Sequence, residues 1–566
     1  MMRKSWRIAG SVLGCALPLV LATAAQAQRV EGKADPAFKR VAPEPAVGGM
    51  TVEAMLAEQQ RLHNWIMTQI PDGAAQRVVR VELTERDRKD LETPYIPGSL
   101  TPMRVGVVKP LADPIGFSSG KLLDARGVRG KKSALGAFER TGDGGFVWTV
   151  TLSSPGAVAL RVHFENFSLP PTAEAYVFNR DGEARGPYLG KGPDGSGEFW
   201  SHSVASSSVS VMVRQFGPLA PEDLRGLSLR ITEVAHVAID FPRGLGAGSV
   251  ASFCTYNAPC VENNACTSDP AVNNAEGAVA KMRWISGAFI YICSGGLVAD
   301  TDPNTQIPYF LTANHCLSKN KDAKNLETFF LYTASCGTTN CPGSFDRPFD
   351  PPSTLGATVA ATGRDGDYTL LELNDPPPAG TTFLGWNNAP IAFNDGAVLH
   401  RISHPQGAPQ AYSQHVVDTQ AGTCTGVPRG SWIYSNDVIG ATEGGSSGSP
   451  VVNSAGEVVG QLTGCCGFNC NDVCDSASNS TIDGALAAYW SAVAPFLDPA
   501  PCTPSTEICD DGVDNDCDGA VDCNDSDCTN DPACTGGGCN LGQRGDPCST
   551  GADCCSGVCK RNGTCR

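Results

Sequence analysis

The chain has 566 residues, of which 41% are apolar, and this length and composition predict several packed domains rather than a disordered protein. Its formal charge at pH 7 is −17, and it has no basic stretch of the kind that binds a phosphate backbone. Beyond the N-terminus, no segment is long and apolar enough to span a bilayer. These features argue against a nucleic-acid-binding protein and against a membrane-spanning one.

The N-terminus has the three parts of a secretory signal peptide. Met1–Arg7 carries three basic residues, Ile8–Ala24 is largely apolar, and Ala25-Gln26-Ala27 fits a small-x-small cleavage site. The pattern predicts that residues 1–27 are removed and that the mature protein is secreted, extracellular and not inserted in a membrane. A membrane anchor and a lipidated Cys15 are the alternatives.

Cysteine usage divides the chain. Removal of Cys15 from the 25 cysteines leaves an even number, 24, and none lies between Cys15 and Cys254. An even set crowded into the C-terminal half of an exported chain predicts disulfide bonds. Residues 28–250 therefore form a cysteine-free region that is distinct from the cysteine-bearing C-terminal half.

Residues 28–250 combine one helical segment with strand patterns. Thr51–Ile70 has helical spacing, whereas Phe146–Leu152, Ala157–Phe164 and Ser208–Val213 alternate or run apolar between turn residues. This pattern predicts a small β-sandwich. By itself it leaves open whether the region is a binding domain or a propeptide.

Residues 251–498 form the main cysteine-bearing block. Short apolar runs with many turn residues predict a barrel or sandwich, and helical spacing returns only at Ala485–Phe496. Three segments of this block carry candidate chemistry: an apolar strand that leads to His315, an acid that opens a strand at Asp367, and a small-residue loop around Ser447.

The three residue types are those that acyl transfer requires. A serine hydroxyl becomes a good nucleophile when an imidazole takes its proton, and a carboxylate on the other ring nitrogen orients that imidazole. Small residues around Ser447 allow the backbone N–H groups of Gly445 and Ser447 to point at one developing oxyanion. His315 as general base, Asp367 as its orienting acid and Ser447 as nucleophile therefore form one hypothesis.

The same segments resemble the chymotrypsin-like (trypsin family) serine proteases, and in particular the secreted bacterial lysyl endopeptidases. The matching motifs are Cys293-Ser-Gly-Gly-Leu-Val298, Phe310-Leu-Thr-Ala-Asn-His-Cys316, Asp367-Tyr-Thr-Leu-Leu-Glu-Leu-Asn374, Thr442-Glu-Gly-Gly-Ser-Ser-Gly-Ser-Pro450 and Gly460-Gln-Leu-Thr-Gly464. They extend across most of residues 254–498.

The resemblance implies a mainly β chain whose protease domain, residues 251–498, folds as two β-barrels with the site between them. It implies a disulfide between Cys293 and Cys316, and a strand from Gln461 to Gly464 that pairs with the substrate backbone, with Thr463 and Gly464 as substrate-binding residues. It also implies a proenzyme, in which residues 28–250 are a β-rich propeptide that is cut between about Arg243 and Cys254. The partners would then be protein or peptide substrates and the chain's own propeptide.

The sequence departs from the resemblance around the specificity pocket. Ser446 stands where animal trypsins have the Asp that binds the freed N-terminus, and Ala441 stands where they have their specificity acid. The corresponding lysyl endopeptidase position matches Thr481, with Asp483 two residues on. A cysteine-rich insertion, Cys465–Cys474, has no counterpart in the pattern. Thr481 and Asp483 are thus candidate substrate-binding residues, and the preferred residue before the scissile bond stays open.

Two small disulfide-rich modules come after the protease block. Residues 499–534 resemble an Asp/Cys-rich metal-binding repeat of exported bacterial proteins, in which oxygen ligands at calcium-loop spacing suit a hard cation. The candidate Ca²⁺ ligands are Asp514, Asp516, Asp518, Asp522 and Asp525. An acidic, disulfide-bonded spacer without metal is the alternative.

Residues 535–566 carry six cysteines in a spacing that resembles a knottin, a unit held by its bridges rather than by a core. Such a module could bind a surface ligand. The whole chain therefore predicts a secreted serine endopeptidase that needs no cofactor for catalysis. The alternative is a catalytically silent, protease-like protein that binds a surface.

Overall fold

The structure is a computed structural model, and it describes residues 38–70, 78–92, 100–118, 136–220, 226–238, 257–302, 305–337, 351–500 and 505–510, together with 515, 523, 525–529, 531 and 534. Several predictions lie outside these residues: the signal peptide at 1–27, the cleavage region between Arg243 and Cys254, and the knottin-like module. Within them, no helix is both long enough and apolar enough to cross a membrane.

Five α-helices have both ends among the described residues: α1 Val52–Gln69, α2 Glu85–Glu92, α3 Ala275–Ala278, α4 Asn320–Ala323 and α5 Leu486–Leu497. The two longest coincide with the helices predicted at Thr51–Ile70 and Ala485–Phe496. Helix α1 begins where the Thr51 hydroxyl accepts a hydrogen bond from the backbone N–H of Ala54, an N-cap that satisfies one otherwise unpaired donor.

The N-terminal region is built mostly from strands. They are β1 Glu44–Pro45, β2 Val78–Arg80, β3 Met103–Ser118, β4 Ala137–Arg140, β5 Phe146–Ser153, β6 Ala159–Ser168, β7 Ala173–Phe178, β8 Ala184–Tyr188, β9 Phe199–Trp200, β10 Ser208–Gln215 and β11 Ser228–Val237. One sheet has the order β2-β5-β10-β7-β8 with β4 on β5, and a second has the order β3-β11-β6-β9.

These two sheets enclose a core, as the sandwich prediction requires. On β5, Trp148, Val150 and Leu152 point into the cluster between the sheets, whereas Val147 packs with Ile66 of α1 on the outer face. Because both faces of β5 are covered, its sequence runs almost continuously apolar. The strand and helix predictions for this region are therefore confirmed.

The cysteine-bearing block contributes the remaining strands. They are β12 Glu262–Asn263, β13 Val279–Ser286, β14 Phe289–Leu297, β15 Tyr309–Ala313, β16 Glu327–Phe329, β17 Ser353–Leu355, β18 Ala357–Gly363, β19 Tyr368–Leu373, β20 Thr382–Phe383, β21 Val398–Ser403, β22 Ala411–Val417, β23 Trp432–Ile439, β24 Pro450–Asn453, β25 Val458–Gly467 and β26 Asn479–Ala485. The C-terminal strands pair in the order β22-β21-β24-β25-β26-β23, and β23 returns to β22, so they form a closed six-stranded barrel.

The N-terminal barrel of this block is an open half-barrel with the order β17-β16-β13-β14-β15-β19-β18. Its strand β14 uses one edge for β13 and shares the other edge between β15 and β3 of the N-terminal region. Because β3 takes up part of the edge of β14, the sheet continues into the N-terminal region. The mainly β, chymotrypsin-like fold class is thus confirmed, with one closed barrel and one half-barrel.

A buried ionic cluster joins the N-terminal region to the protease block. Arg161 Nη1 lies 3.4 Å from Glu327 Oε2, and Arg283 Nη2 lies 3.2 Å from the same oxygen. All three side chains are almost fully buried. Burial by itself would raise the pKa of Glu327, but the two guanidinium groups lower it to about 2.

Candidate active site

The pairing of β15 with β19 brings His315 and Asp367 together. Ala313, two residues before His315, pairs with Tyr368, one residue after Asp367. His315 Nδ1 lies 2.7 Å from Asp367 Oδ2, and the His315 backbone N–H donates to Asp367 Oδ1 at 2.9 Å. Both side chains are buried. The carboxylate can thus fix the ring orientation and leave Nε2 for a proton from a nucleophile.

The backbone of Asp367 is held by Gln461, a residue of the Gly460–Gly464 motif for which the sequence did not predict this role. Asp367 has φ of +49°, a conformation that needs support from its surroundings. Gln461 Nε2 donates to the carbonyl oxygens of Gly366 at 2.8 Å and Asp367 at 3.0 Å, and the Tyr489 hydroxyl donates to Gln461 Oε1. The sequence signal for this supporting role was a glutamine within a largely apolar strand, and the structure shows that it is fully buried.

Ser447 lies in the loop before β24 of the C-terminal barrel, whereas His315 follows β15 of the half-barrel. The Cys316 sulfur lies 3.8 Å from His315 Nε2 and 3.6 Å from the carbonyl oxygen of Ser447, so the two residues share a neighbour. A disulfide joins Cys316 to Cys293, as the family resemblance implied. This cross-link ties the histidine loop to strand β14.

Ser294 connects the nucleophile loop to the half-barrel. Its backbone N–H donates to the Ser447 carbonyl at 2.8 Å, and its hydroxyl donates to the Gly445 carbonyl at 2.8 Å. The Thr312 hydroxyl in turn donates to the Ser294 carbonyl at 2.8 Å. The sequence motif around Cys293 therefore positions the loop through Ser294 as well as through the disulfide.

The two predicted oxyanion donors are available. Gly445 has φ of +97°, which favours glycine, and a Cβ there would lie 2.8 Å from the carbonyl oxygen of His404. Within the described part of the chain, the amides of Gly445 and Ser447 donate to no protein acceptor, whereas the intervening Ser446 amide donates to the Glu443 carbonyl at 2.9 Å. Gly445 and Ser447 can therefore both donate to a substrate oxygen.

Ser446 is buried and uncharged, and its hydroxyl accepts hydrogen bonds from the Ser403 hydroxyl at 3.0 Å and from the Glu443 backbone N–H at 3.3 Å. Neutral hydrogen bonds thus occupy the position at which trypsins form a charged contact with a new N-terminus.

A cleft of about 200 Å³ lies beside Ser447. Its walls come from the nucleophile loop, from Leu462 and Gly464 of β25, and from the cysteine-rich insertion. Disulfides Cys465–Cys470 and Cys260–Cys474 hold the insertion in place. Gly464, a predicted substrate-binding residue, lines this cleft.

Other predicted substrate-binding residues lie inside the C-terminal barrel instead. Asp483 is fully buried and pairs with Arg401 at 2.5 Å, and Thr481 Oγ1 donates to Asp437 Oδ1 at 2.6 Å. Thr463 is also buried and accepts a hydrogen bond from Trp432 Nε1 at 3.2 Å. The prediction that Asp483 faces a substrate is corrected, because the alternation of β26 turns Thr481 and Asp483 to the same inner face.

One of the five predicted calcium ligands lies among the described residues. Asp525 is 2% exposed, and its Oδ1 accepts the backbone N–H of Asp527 at 2.6 Å, while Oδ2 is buried and accepts no hydrogen bond from the described residues. Disulfides Cys509–Cys528 and Cys523–Cys534 flank it. Asp514, Asp516, Asp518 and Asp522 lie outside the described residues.

Comparisons with known proteins agree with this geometry. Residues 249–480 match the family model of the lysyl endopeptidase C-terminal domain. The chain is 30% identical to the lysyl endopeptidase of Pseudomonas aeruginosa over 389 residues, which are 66% of this chain and 76% of that protein. It is 24% identical to the secreted RxLR effector protein 73 of Plasmopara viticola, across 57% of this chain and 78% of that one.

Among solved structures, the active form of the Rv3671c protease of M. tuberculosis aligns with a TM-score of 0.27 and 17% identity, across 44% of this chain and 93% of that one. The relationship to the Pseudomonas protein covers most of that relative, and the family model spans the His315, Asp367 and Ser447 segments. The chain therefore belongs to the lysyl endopeptidase family of serine proteases.

Proposed function

We propose that the chain is a secreted serine endopeptidase that hydrolyses peptide bonds through an acyl-enzyme on Ser447 and is made as a proenzyme. The contact of 2.7 Å between Asp367 and His315, with Ser447 and two available amides beside it, carries this proposal. Family membership supplies the independent support.

The proposed mechanism uses only groups of this chain. Ser447 Oγ attacks the scissile carbonyl carbon while its proton passes to His315 Nε2, and the carbonyl oxygen becomes an oxyanion bound by the Gly445 and Ser447 amides. The C–N bond then breaks as His315 gives the proton to the leaving amine. Water deacylates Ser447 by the same route, with its proton again taken by His315 and returned to Ser447. Asp367 stays ionised and stabilises the imidazolium.

A serine-directed fluorophosphonate tests the reaction. We expect it to label Ser447 of the secreted protein, and to leave the S447A variant unlabelled. If the folded wild-type chain is not labelled and cleaves no member of a peptide library, the catalytically silent alternative replaces the proposal. The same library gives the residue preferred before the scissile bond.

The N-terminal region is proposed to be the propeptide. Its β3 pairs with the part of β14 that β15 leaves open, and its Arg161 completes the buried cluster with Glu327 and Arg283. This strand pairing and the shared ionic cluster suit a segment that assembles with the protease block during folding. N-terminal sequencing of the secreted protein decides the point: a start between about Arg243 and Cys254 supports a propeptide, and a start near Gln28 supports an attached domain.

We also propose that residues 499–534 bind Ca²⁺. The buried Oδ2 of Asp525, which accepts no hydrogen bond from the part of the module that the structure describes, supports this, because a buried carboxylate oxygen is costly unless a cation or donor reaches it. Calorimetric titration of the full chain with Ca²⁺ should give a binding isotherm that is lost in D525N. An isotherm that is unchanged in D525N, or no binding to the wild type, would favour the acidic spacer.

A further inference from the structure

Residues Asn257–Cys260, the first described residues of the protease block, lie against the loop that carries the nucleophile. The Ala258 backbone N–H donates to Glu443 Oε1 at 3.0 Å, and Asn257 Nδ2 donates to Glu443 Oε2 at 2.6 Å. The disulfide between Cys260 and Cys474 anchors the segment at its other end. Both carboxylate oxygens of Glu443 are thus occupied by this segment, four residues before Ser447.

The same segment reaches the oxyanion loop by a second route. Asn257 Nδ2 also donates to the Pro405 carbonyl at 3.1 Å, and the next residue, Gln406, donates its backbone N–H to the Gly444 carbonyl at 2.6 Å. Gln406 has φ of +56°, and a Gly407 N–H to His404 carbonyl bond at 3.0 Å closes the turn. Asn257 therefore links the turn at 404–407 to the loop at 443–447.

The Gly444 carbonyl decides which way the Gly445 amide points. In a planar trans peptide the C=O and N–H groups point in opposite directions, so the bond from Gln406 turns the Gly445 N–H away from Gln406. A peptide between two glycines rotates with little steric cost, because neither residue has a Cβ. Without outside anchors, this peptide could turn and withdraw one of the two oxyanion donors.

We propose that Asn257 and Glu443 are positioning residues that hold the Gly444–Gly445 peptide in the orientation that forms the oxyanion hole. In trypsins, the Asp before the nucleophile makes a charged contact with a new N-terminus. The corresponding residue here is the neutral Ser446, and Asn257 and Glu443 hold the loop in its place. The inference rests on the proposed function of the loop. The donors to Glu443 are a side-chain amide and an internal backbone N–H, and neither is created by chain cleavage.

The surroundings make these hydrogen bonds sensitive to substitution. Asn257 is 5% exposed, and burial raises the pKa of the Glu443 carboxyl above its ordinary value. Glu443 is half-buried, so loss of one donor leaves a carboxylate oxygen without its protein partner and removes a contact that holds the loop. Glu443 also lines the cleft, so a substitution of Glu443 would change both the oxyanion hole and the cleft. A substitution of Asn257 tests the effect on the oxyanion hole separately.

The test measures acylation of the secreted protein by p-nitrophenyl acetate, whose small acyl group does not need the specificity cleft. We expect N257A to slow the burst about tenfold and N257D to slow it further, because N257D places a second carboxylate against Glu443. The double variant N257D/E443Q reverses donor and acceptor between residues 257 and 443 but leaves the Pro405 carbonyl without its donor, so it should be faster than N257D and slower than the wild type. On a library-selected peptide, N257A should lower kcat and leave KM within about twofold.

N263A is the matched control. Asn263 is equally buried and donates Nδ2 to the Ser335 carbonyl at 2.9 Å, far along the segment from Glu443. It should lower thermal stability without slowing acylation more than about twofold. A wild-type burst with N257A at the wild-type rate, or a double variant no faster than N257D, overturns the inference and leaves the proposed function standing. No burst in the folded wild type overturns the proposed function itself. If N257A does not fold, the double variant carries the comparison.

Discussion

Gly445 is the position at which the smallest change should have the largest catalytic effect. Its φ of +97° suits glycine, and the Cβ of an alanine would lie 2.8 Å from the His404 carbonyl and 3.2 Å from the Gly407 amide. Backbone strain of this kind costs about 1–3 kcal/mol, and the loop can relieve it only by moving the peptide that carries the Gly445 N–H. A lost oxyanion donor is worth about 3–4 kcal/mol of barrier, so G445A should lower kcat by about 10²- to 10³-fold.

The assay compares kcat and KM on a library-selected peptide with the unfolding temperature. G456A is the control, since Gly456 also has a left-handed backbone, with φ of +77°, and its added Cβ would meet the Ala271 carbonyl at 3.0 Å. That turn between β24 and β25 lies outside the cleft, so G456A should lose stability and keep kcat within about twofold. A G445A enzyme with kcat within about threefold of the wild type would refute the assignment of this amide.

Three further substitutions test the same site. D367N should lower kcat by about 10⁴-fold with little change in KM, because the amide favours the wrong tautomer of His315; a loss below tenfold in steady-state kinetics would contradict the assigned role. Replacing both Cys293 and Cys316 by serine opens a cross-link of 23 residues, which should lower the free energy of unfolding by about 3 kcal/mol in urea titrations and also lower kcat; unchanged stability and rate would count against the tether. Burial lowers the pKa of His404 to about 3. The contribution of the neutral imidazole to the free energy of unfolding is therefore complete above the unfolded pKa of about 6.5 and is lost as pH falls. Between pH 7 and 4 the wild type should therefore lose about 3 kcal/mol more stability than H404N, and an equal loss in both would show that His404 is not responsible.

The fold was most predictable where the pattern is local. Helix α1 shows its spacing and its Thr51 cap in one stretch of sequence, and β5 and β10 show their apolar runs between turn residues. The pairing of β3 with β14 was not predictable, because it joins strands that are far apart in the chain and leaves no mark in either one. The same holds for the half-barrel, whose edge is taken by a strand from another region.

The site divides in the same way. His315, Asp367 and Ser447 are each carried by a short motif, and the structure brings the segments together. Asp483 was placed wrongly because its environment depends on Arg401, which lies on another strand and gives the acid a partner inside the barrel. An acid near a substrate strand predicts a specificity residue only if no buried cation is available to it, and the sequence does not show which strands will face each other.

Strand β25 shows why one motif can carry two roles that the sequence cannot separate. Leu462 and Gly464 line the cleft, whereas the alternate residue Gln461 points inward and holds the carbonyls of Gly366 and Asp367. The motif Gly460–Gly464 therefore combines residues that line the cleft with a residue that supports Asp367, on opposite faces of one strand. Since Asp367 has a left-handed backbone and its carboxylate contacts His315, we expect loss of the glutamine bonds to disturb the geometry of the histidine.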